Sequence, residues 1–179
     1  MSSAVKILPY YTYDDYLQWE GRWEIIEGIP YAMSPAPTPK HQKIANTLGA
    51  LFYLSLKSCP DCTAYQAIDY KIAEDTIVQP DISILCQKTN KKFIDFAPAI
   101  VVEILSPSTA LKDRHTKSNL YAGQKVPYSI LVSPETEEVE IYALEETVYV
   151  LKQKGKDITW RFDLSEDCSA TIDFSEIWK

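Results

Sequence analysis

Residues 99–105, AIVVEIL, constrain the fold more than any other segment of this chain. Every position except Glu103 is apolar, whereas a strand with one solvent-facing side would alternate apolar and polar residues. A continuous apolar run of this length is typical of a central strand that is covered on both faces. The sequence therefore predicts a sheet with packed layers on each side, and it places the carboxylate of Glu103 inside that sheet.

The elements around this strand predict an α/β fold. Thr38 as N-cap and Pro39 at the first helical position begin a helix whose apolar residues keep a 3.6-residue period as far as Ser55. A second helix is expected over residues 110–123, and a capping box starting at Thr12 predicts a short helix through Trp19. An N-terminal hairpin at residues 23–27 and 29–33 precedes further strands at residues 65–73, 81–86, 128–133, 139–144 and 147–153. This order favours a mixed central sheet flanked by helices.

Length and composition indicate an ordinary globular protein. The 179 residues suit one domain spanning residues 1–179, and 46% apolar residues are enough for a core. The N-terminus lacks a basic region followed by an apolar run, and no segment approaches the roughly 18 apolar residues of a membrane span. Four cysteines are too few for a disulfide scaffold. These features predict a soluble, cytoplasmic protein.

The net charge of -7 argues against a protein that coats nucleic acid non-specifically, because such binding depends on neutralising phosphates. The charge is unevenly distributed, however, and residues 87–134 carry 7 basic and 3 acidic side chains. This window contains Glu103 and begins shortly after Asp81. A local phosphate-facing surface is one interpretation, and a solvated lysine face is the other.

Cys59 and Cys62 flank a proline and an aspartate, a spacing that occurs in zinc and redox sites. The chain has no second cysteine pair at this spacing, and His41 and His115 are not at zinc-finger spacing. We therefore interpret the segment as a turn that carries two ordinary thiols.

Asp81 and Glu103 are the acidic residues that most suggest a functional site. Asp81 opens one predicted strand and Glu103 lies inside the next, so strand alternation allows both side chains to point to the same face. An ionised carboxylate inside an apolar strand is costly unless a cation or a hydrogen-bonding partner compensates for the lost water. A metal ion would meet this need. An ion pair with a basic residue of the covering helix, or a strand end that reaches water, is the alternative.

Several motifs between about residues 13 and 150 together resemble the Uma-type family of endonucleases in the PD-(D/E)XK restriction-endonuclease-like superfamily. The matching segments are Pro80-Asp81, residues 102–109 (VEILSPST), residues 23–28 (WEIIEG), His41-Gln42 and residues 113–121. The resemblance implies a restriction-endonuclease-like core and hydrolysis of phosphodiester bonds in DNA. It also implies Mg²⁺, with Mn²⁺ as the alternative metal, held by Asp81 and Glu103 together with the main-chain carbonyl of Ile104.

The resemblance implies a catalytic lysine at an unusual place. The superfamily has a lysine two residues after the second acid, where this chain has Leu105. In the Uma-type family the lysine lies on the following helix, and Lys117 matches that position. Asp113 and Tyr121 lie four residues before and after Lys117, so the three share a helical face. The alternative is that Lys117 is a helix-surface lysine paired with Asp113; Lys112 and Arg114 lie on other faces.

Glu24 and His41 also match the family motif, which implies that both line the same cleft. Glu24 belongs to the first hairpin, and His41 lies in the first turn of the long helix, where backbone N–H groups favour anions. Glu27 is the alternative to Glu24, because the two face opposite sides of the strand and only one can point inward. A surface position is the alternative for His41.

The function that the resemblance implies is a metal-dependent DNA endonuclease with Asp81, Glu103 and Lys117 at its core. A nuclease-derived fold that binds nucleic acid or a protein partner without cutting is a second hypothesis, motivated by Leu105 and by the negative net charge. A purely structural domain is a third. A homodimer is a further hypothesis, because restriction-type nucleases often dimerise to reach both strands. The sequence does not distinguish DNA from RNA or identify the natural substrate.

Overall fold

The computed structural model describes residues 8–33, 36–106 and 112–179. Its helices are α1 (Tyr13–Tyr16), α2 (Pro39–Ser55) and α3 (Ser118–Gly123); a π-helical stretch (Lys112–Lys117) leads into α3, and short 3-10 helices occupy Leu56–Ser58 and Phe174–Trp178. Its strands are β1 (Trp23–Ile26), β2 (Ile29–Ala32), β3 (Thr63–Gln66), β4 (Tyr70–Ala73), β5 (Thr76–Val78), β6 (Ile82–Leu85), β7 (Ile100–Ile104), β8 (Tyr128–Ser133), β9 (Glu138–Glu145), β10 (Val148–Gly155), β11 (Thr159–Ser165) and β12 (Cys168–Asp173).

The apolar segment identified from the sequence forms β7, which lies inside a six-stranded sheet of order β10-β9-β8-β7-β6-β3. All five of its residues are buried. Strand β7 is parallel to β8 and antiparallel to β6, and the other pairs in this sheet are antiparallel. The predicted mixed α/β fold is therefore confirmed, with the strand that is apolar on both faces at an interior position.

Different elements cover the two faces of this sheet. Val102 and its neighbours at alternate positions pack in a cluster with Leu48 and Phe52 of α2 and with Phe162 of the C-terminal β11–β12 hairpin. Val101, on the opposite face, belongs to a second cluster with Tyr121 of α3. Since side chains alternate along a strand, Glu103 lies on the same face as Val101 and faces α3.

The N-terminal hairpin is confirmed, and it belongs to a second sheet of order β2-β1-β5-β4. The single strand predicted over residues 65–73 is wrong. The chain turns after β3, where Ala67 has a φ of 48°, so that β3 pairs with β6 in the large sheet while β4 pairs with β5 in the small one. This break places the small sheet, including Glu24 of β1, beside the main one.

Helix α2 begins where Thr38 and Pro39 predicted it, and the Thr38 hydroxyl accepts a hydrogen bond from the backbone N–H of His41 at 3.2 Å. Helix α1 ends at Tyr16, earlier than expected, although Asp15 accepts from the backbone N–H of Thr12 as in a capping box. Residues 107–111 lie outside the described residues. They include the first two residues of the second predicted helix and all of the SPST motif except Ser106.

The interpretation of the cysteines as ordinary thiols is wrong, because all four are paired. Cys59 is bonded to Cys168, and Cys62 is bonded to Cys86. The partners lie 109 and 24 residues apart in the chain, so local spacing could not reveal them. Separately, none of the helices in the described part of the chain is long and apolar enough to cross a membrane.

Candidate metal-binding and active site

Asp81 and Glu103 face each other across two neighbouring strands. The antiparallel register of β6 and β7 pairs Ile82 with Val102, and extending it by one residue places Asp81 opposite Glu103. Opposed residues of antiparallel strands project to the same face. The backbone N–H of Ile104 donates to Oδ2 of Asp81 at 2.7 Å and fixes the orientation of this carboxylate. The face shared by the two acids, expected from alternation, is thus present in the structure.

Lys117 lies between two buried carboxylates. Its Nζ atom is 2.7 Å from Oε1 of Glu24 and 3.1 and 3.2 Å from the two carboxylate oxygens of Glu103. Lys117 is 2% exposed, Glu24 is 0% exposed and Glu103 is 3% exposed. The alternative of a helix-surface lysine is therefore wrong, because the π-helical stretch before α3 directs Lys117 into the interior. The side chain of Asp113 lies outside what the structure describes.

Tyr121 also contacts Glu103, and this contact was not predicted from the sequence. Its hydroxyl donates to Oε1 of Glu103 at 2.5 Å, and its ring is buried. Its spacing of four residues from Lys117 was the available signal, because residues so spaced share a helical face. Lys117 and Tyr121 together provide three donor contacts to Glu103, and these contacts orient its carboxylate.

Glu24 is the glutamate of the first hairpin that points inward. One of its oxygens accepts from the backbone N–H of Gln79 at 2.9 Å, in addition to the contact with Lys117. Glu27 is exposed and has a φ of 50°, because it forms the β1–β2 turn together with Gly28 rather than the end of β1. Glu24 and Glu27 therefore differ in backbone conformation as well as in the direction of their side chains.

His41 lies beside Asp81 in the first turn of α2. Its Nε2 atom is 3.4 Å from Oδ1 of Asp81, and the two side chains are 14% and 18% exposed. Burial opposes protonation of the ring, but the Asp81 carboxylate and the nearby backbone of Ile104 favour it more strongly, so the pKa of His41 lies above its usual 6.5. The Nδ1 atom is buried and has no hydrogen-bond partner among the described residues.

Replacing Asp81 by asparagine is expected to lower the pKa of His41, because the neighbouring negative charge is removed while burial of the ring remains. Titration of the imidazole resonances by NMR, in buffer with a chelator to exclude divalent ions, measures the shift. His115 serves as an internal reference, since it belongs to another part of the chain. An unchanged His41 titration in Asp81→Asn would contradict the coupling of these two residues.

An open cleft of about 310 Å³ lies at Asp81 and His41. Polar side chains that the sequence did not predict share its wall, and the lining comprises Arg22, Pro37, His41, Gln42, Ala45, Asn46, Gln66, Ala67 and Asp81. Glu24, Glu103 and Lys117 lie behind this wall in the interior. The predicted site residues therefore form two connected layers, with Asp81 and His41 at the cleft and the lysine-bridged glutamates beneath them.

The donor set suits a hard divalent cation. The carboxylates of Asp81, Glu103 and Glu24 carry three negative charges, and Lys117 carries one positive charge. The net charge of these four side chains is therefore -2, to which a neutral His41 adds nothing. Mg²⁺ prefers one or two carboxylates completed by water. Asp81 has one oxygen held by Ile104 and the other directed to the cleft side near His41. The residues present therefore fit such an ion, with Asp81 as the accessible ligand.

The basic window of residues 87–134 does not form one surface. Lys91 pairs with Asp95, Arg114 pairs with Glu140 at 2.6 Å, and Lys117 is buried with its two glutamates. Arg22, from outside this window, is a cation that lines the cleft, and it hydrogen-bonds the side chain of Gln79. Clustering of positive charge in the sequence was therefore a poor guide to the surface near the site.

Comparison with known proteins agrees with this fold. A family model described as "putative restriction endonuclease" matches residues 13–169. An uncharacterized protein of Synechocystis sp. is 34% identical over an alignment of 139 residues that covers 72% of this chain and 72% of that one. The crystal structure of a "putative nuclease belonging to DUF820" from Anabaena variabilis has a TM-score of 0.74 at 18% identity, covering 93% of this chain and 97% of that one, and so shows the same fold. The chain belongs to the Uma2 family, the family of that matching model.

Proposed function

We propose that this protein is a Mg²⁺-dependent endonuclease that hydrolyses phosphodiester bonds in DNA. The observation that carries the proposal is the opposition of Asp81 and Glu103 across β6 and β7, with the Lys117 ammonium 3.1 Å from Glu103. Two acids on adjoining strand ends and one lysine are the groups that metal-assisted hydrolysis requires. The family description supports nuclease chemistry, and the cleft gives a substrate access to Asp81.

In this proposal Asp81 and Glu103 are the metal ligands, with Mn²⁺ as an alternative to Mg²⁺ and the main-chain carbonyl of Ile104 as a third oxygen. An ion held by these residues would lower the pKa of a coordinated water and offset negative charge on the phosphate. The Ile104 N–H holds Asp81 in place from the strand side, and Tyr121 orients Glu103 from the helix side. Each ligand is therefore positioned before substrate arrives.

Lys117 and His41 supply the positive charge. Lys117 offsets one of the two negative charges of Glu24 and Glu103 in the interior, and in the proposed reaction it orients the attacking water or stabilises the scissile phosphate. His41 has a raised pKa and stands at the N-terminus of the 17-residue helix α2, where backbone N–H groups also favour an anion. His41 would therefore bind a substrate phosphate at the cleft wall beside Asp81.

A fold that binds without cutting is the second candidate, and burial of the interior layer favours it. Glu103 and Lys117 are 3% and 2% exposed and are bonded to each other, as in a structural ion pair. Hydrolysis by the proposed mechanism requires that Glu103 also coordinates the metal. A protein that uses the ion pair only for stability has no such requirement and would hold no divalent ion at Asp81.

Metal titration and a cleavage assay together test the proposal. Calorimetry of the metal-free protein should show Mn²⁺ binding, and plasmid DNA should be cut in Mg²⁺ or Mn²⁺ but not in EDTA. A matched RNA substrate tests the choice of DNA. DNA binding by gel shift without metal binding and without cleavage would support the second candidate and overturn the first. Binding of neither metal nor DNA by the folded chain would contradict both.

A further inference from the structure

Four cysteines from separate parts of the chain meet at one point, and together they are called here the four-cysteine cluster: Cys59, Cys62, Cys86 and Cys168. Cys59 and Cys62 lie on the turn between the 3-10 helix and β3, Cys86 follows β6, and Cys168 begins β12. Besides the bonded pairs, the sulfur atoms of Cys62 and Cys168 are 3.5 Å apart. The two disulfides are therefore in contact with each other and do not act as separate cross-links.

The sulfur positions suit a single tetrahedral ion. The sulfur atoms of Cys62, Cys86 and Cys168 all lie within 4.8 Å of one another, and the sulfur of Cys59 is bonded to that of Cys168. In a tetrahedral zinc site the Zn–S bonds of about 2.3 Å place the sulfur atoms roughly 3.8 Å apart. Once the disulfides are opened, side-chain rotation would bring the four thiolates into that arrangement, and Cys59, which lies beyond Cys168, would have to rotate most.

The local backbone also matches a zinc site. Cys59 and Cys62 have the C-x2-C spacing of structural zinc sites, and the backbone N–H of Cys62 donates to the carbonyl of Cys59 at 3.0 Å, which closes the turn. The register of β3 and β6 pairs Thr63 with Leu85, so it places Cys62 opposite Cys86. Cys59 and Cys62 are buried, whereas Cys86 is half-buried and leaves a path to solvent.

The cluster lies where the fold needs a cross-link. Strand β3 is an edge of the six-stranded sheet, and the β11–β12 hairpin forms a sheet of its own that is hydrogen-bonded to neither larger sheet. Cys168 begins β12, so the cluster joins this hairpin to the edge strand. Cys86 and Asp81 lie at opposite ends of β6, roughly 16 Å apart at strand spacing, so the cluster is separate from the acidic site.

We infer that the reduced chain binds one Zn²⁺ ion through the thiolates of the four-cysteine cluster, as a structural site that fastens the C-terminal hairpin to the sheet. A dithiol or phosphine reductant supplies two electrons per disulfide, and two protons complete the two thiols. Binding of Zn²⁺ to the four thiols then releases four protons and forms four Zn–S bonds. The inference is independent of the proposed nuclease activity, because it uses none of the residues of the acidic site.

Metal analysis of protein purified with a reductant and without chelators tests the inference. We expect about one Zn²⁺ per chain to remain after gel filtration, as in a closed four-cysteine site. Replacing zinc with Co²⁺ should give the intense near-ultraviolet absorption of thiolate-to-cobalt charge transfer, which carboxylate ligands do not produce. This second readout uses the unmodified chain and so does not depend on a variant that folds.

Two variants complete the test. Cys168→Ser should reduce the zinc content and the charge-transfer absorption to near zero, whereas Asp81→Asn should retain both. Reduced, folded protein with four reactive thiols, no retained zinc and no charge-transfer band would overturn the inference. Two disulfides that persist in the folded chain under the same reductant would overturn it as well.

Discussion

Replacing Lys117 with methionine is expected to lower the free energy of unfolding by about 3–5 kcal/mol, as does removing one partner from a buried ion pair. Methionine keeps most of the aliphatic side chain but removes the ammonium, so Glu24 at 0% exposure and Glu103 at 3% exposure lose their shared cation. Urea unfolding at neutral pH measures the change. The deficit should shrink at acidic pH, because a protonated carboxyl group needs no cation.

Two further variants test whether loss of the ammonium charge causes the lower stability of Lys117→Met. Lys88→Met makes the same substitution at an exposed position and should change stability by no more than about 0.5 kcal/mol. Adding Glu24→Gln to Lys117→Met removes one of the two carboxylate charges that Lys117 contacts and should recover part of the lost stability. A Lys117→Met protein as stable as Lys88→Met would contradict the ion-pair geometry described above.

Features that depend on local geometry could be predicted from the sequence. The five buried residues of β7 follow from its unbroken apolar run, and the start of α2 follows from Thr38 and Pro39. Alternation along neighbouring strands was enough to place Asp81 and Glu103 on one face. The displaced lysine came from the family resemblance, and the structure shows that Lys117 does reach Glu103.

Features that depend on backbone conformations unusual for their residues could not be predicted. Ala67 and Glu27 both adopt positive φ without being glycine, asparagine or aspartate. The turn at Ala67 therefore lacked its usual signal, and Gly28 marked the hairpin turn without showing that Glu27 belongs to it. The first hid the break between β3 and β4, and the second left Glu24 and Glu27 as alternatives. The four-cysteine cluster was missed for a different reason, because Cys86 and Cys168 approach Cys62 only through strand pairing and the packing of the C-terminal hairpin.

Asp81→Asn is expected to lower the rate of metal-dependent DNA cleavage by about 10³-fold, which corresponds to about 4 kcal/mol of transition-state stabilisation from the metal ion. The amide removes a negative charge and weakens metal binding, but its oxygen can still accept from the backbone N–H of Ile104. Asp81 lies at the cleft and not in the interior, so the folded structure should tolerate this change. Initial rates on plasmid DNA, with calorimetry of Mn²⁺ binding, measure the two effects.

Two matched variants separate loss of catalysis from loss of structure. Asp95→Asn makes the same chemical change at an exposed acid paired with Lys91 and should leave both the cleavage rate and Mn²⁺ binding unchanged. Glu103→Gln should lose activity and stability together, because a neutral amide would then face the Lys117 ammonium in the interior. Asp81→Asn should lose activity with little change in the urea midpoint. Full cleavage by folded Asp81→Asn would refute its role as a metal ligand, even if Glu103→Gln were inactive, since Glu103 also supports the fold.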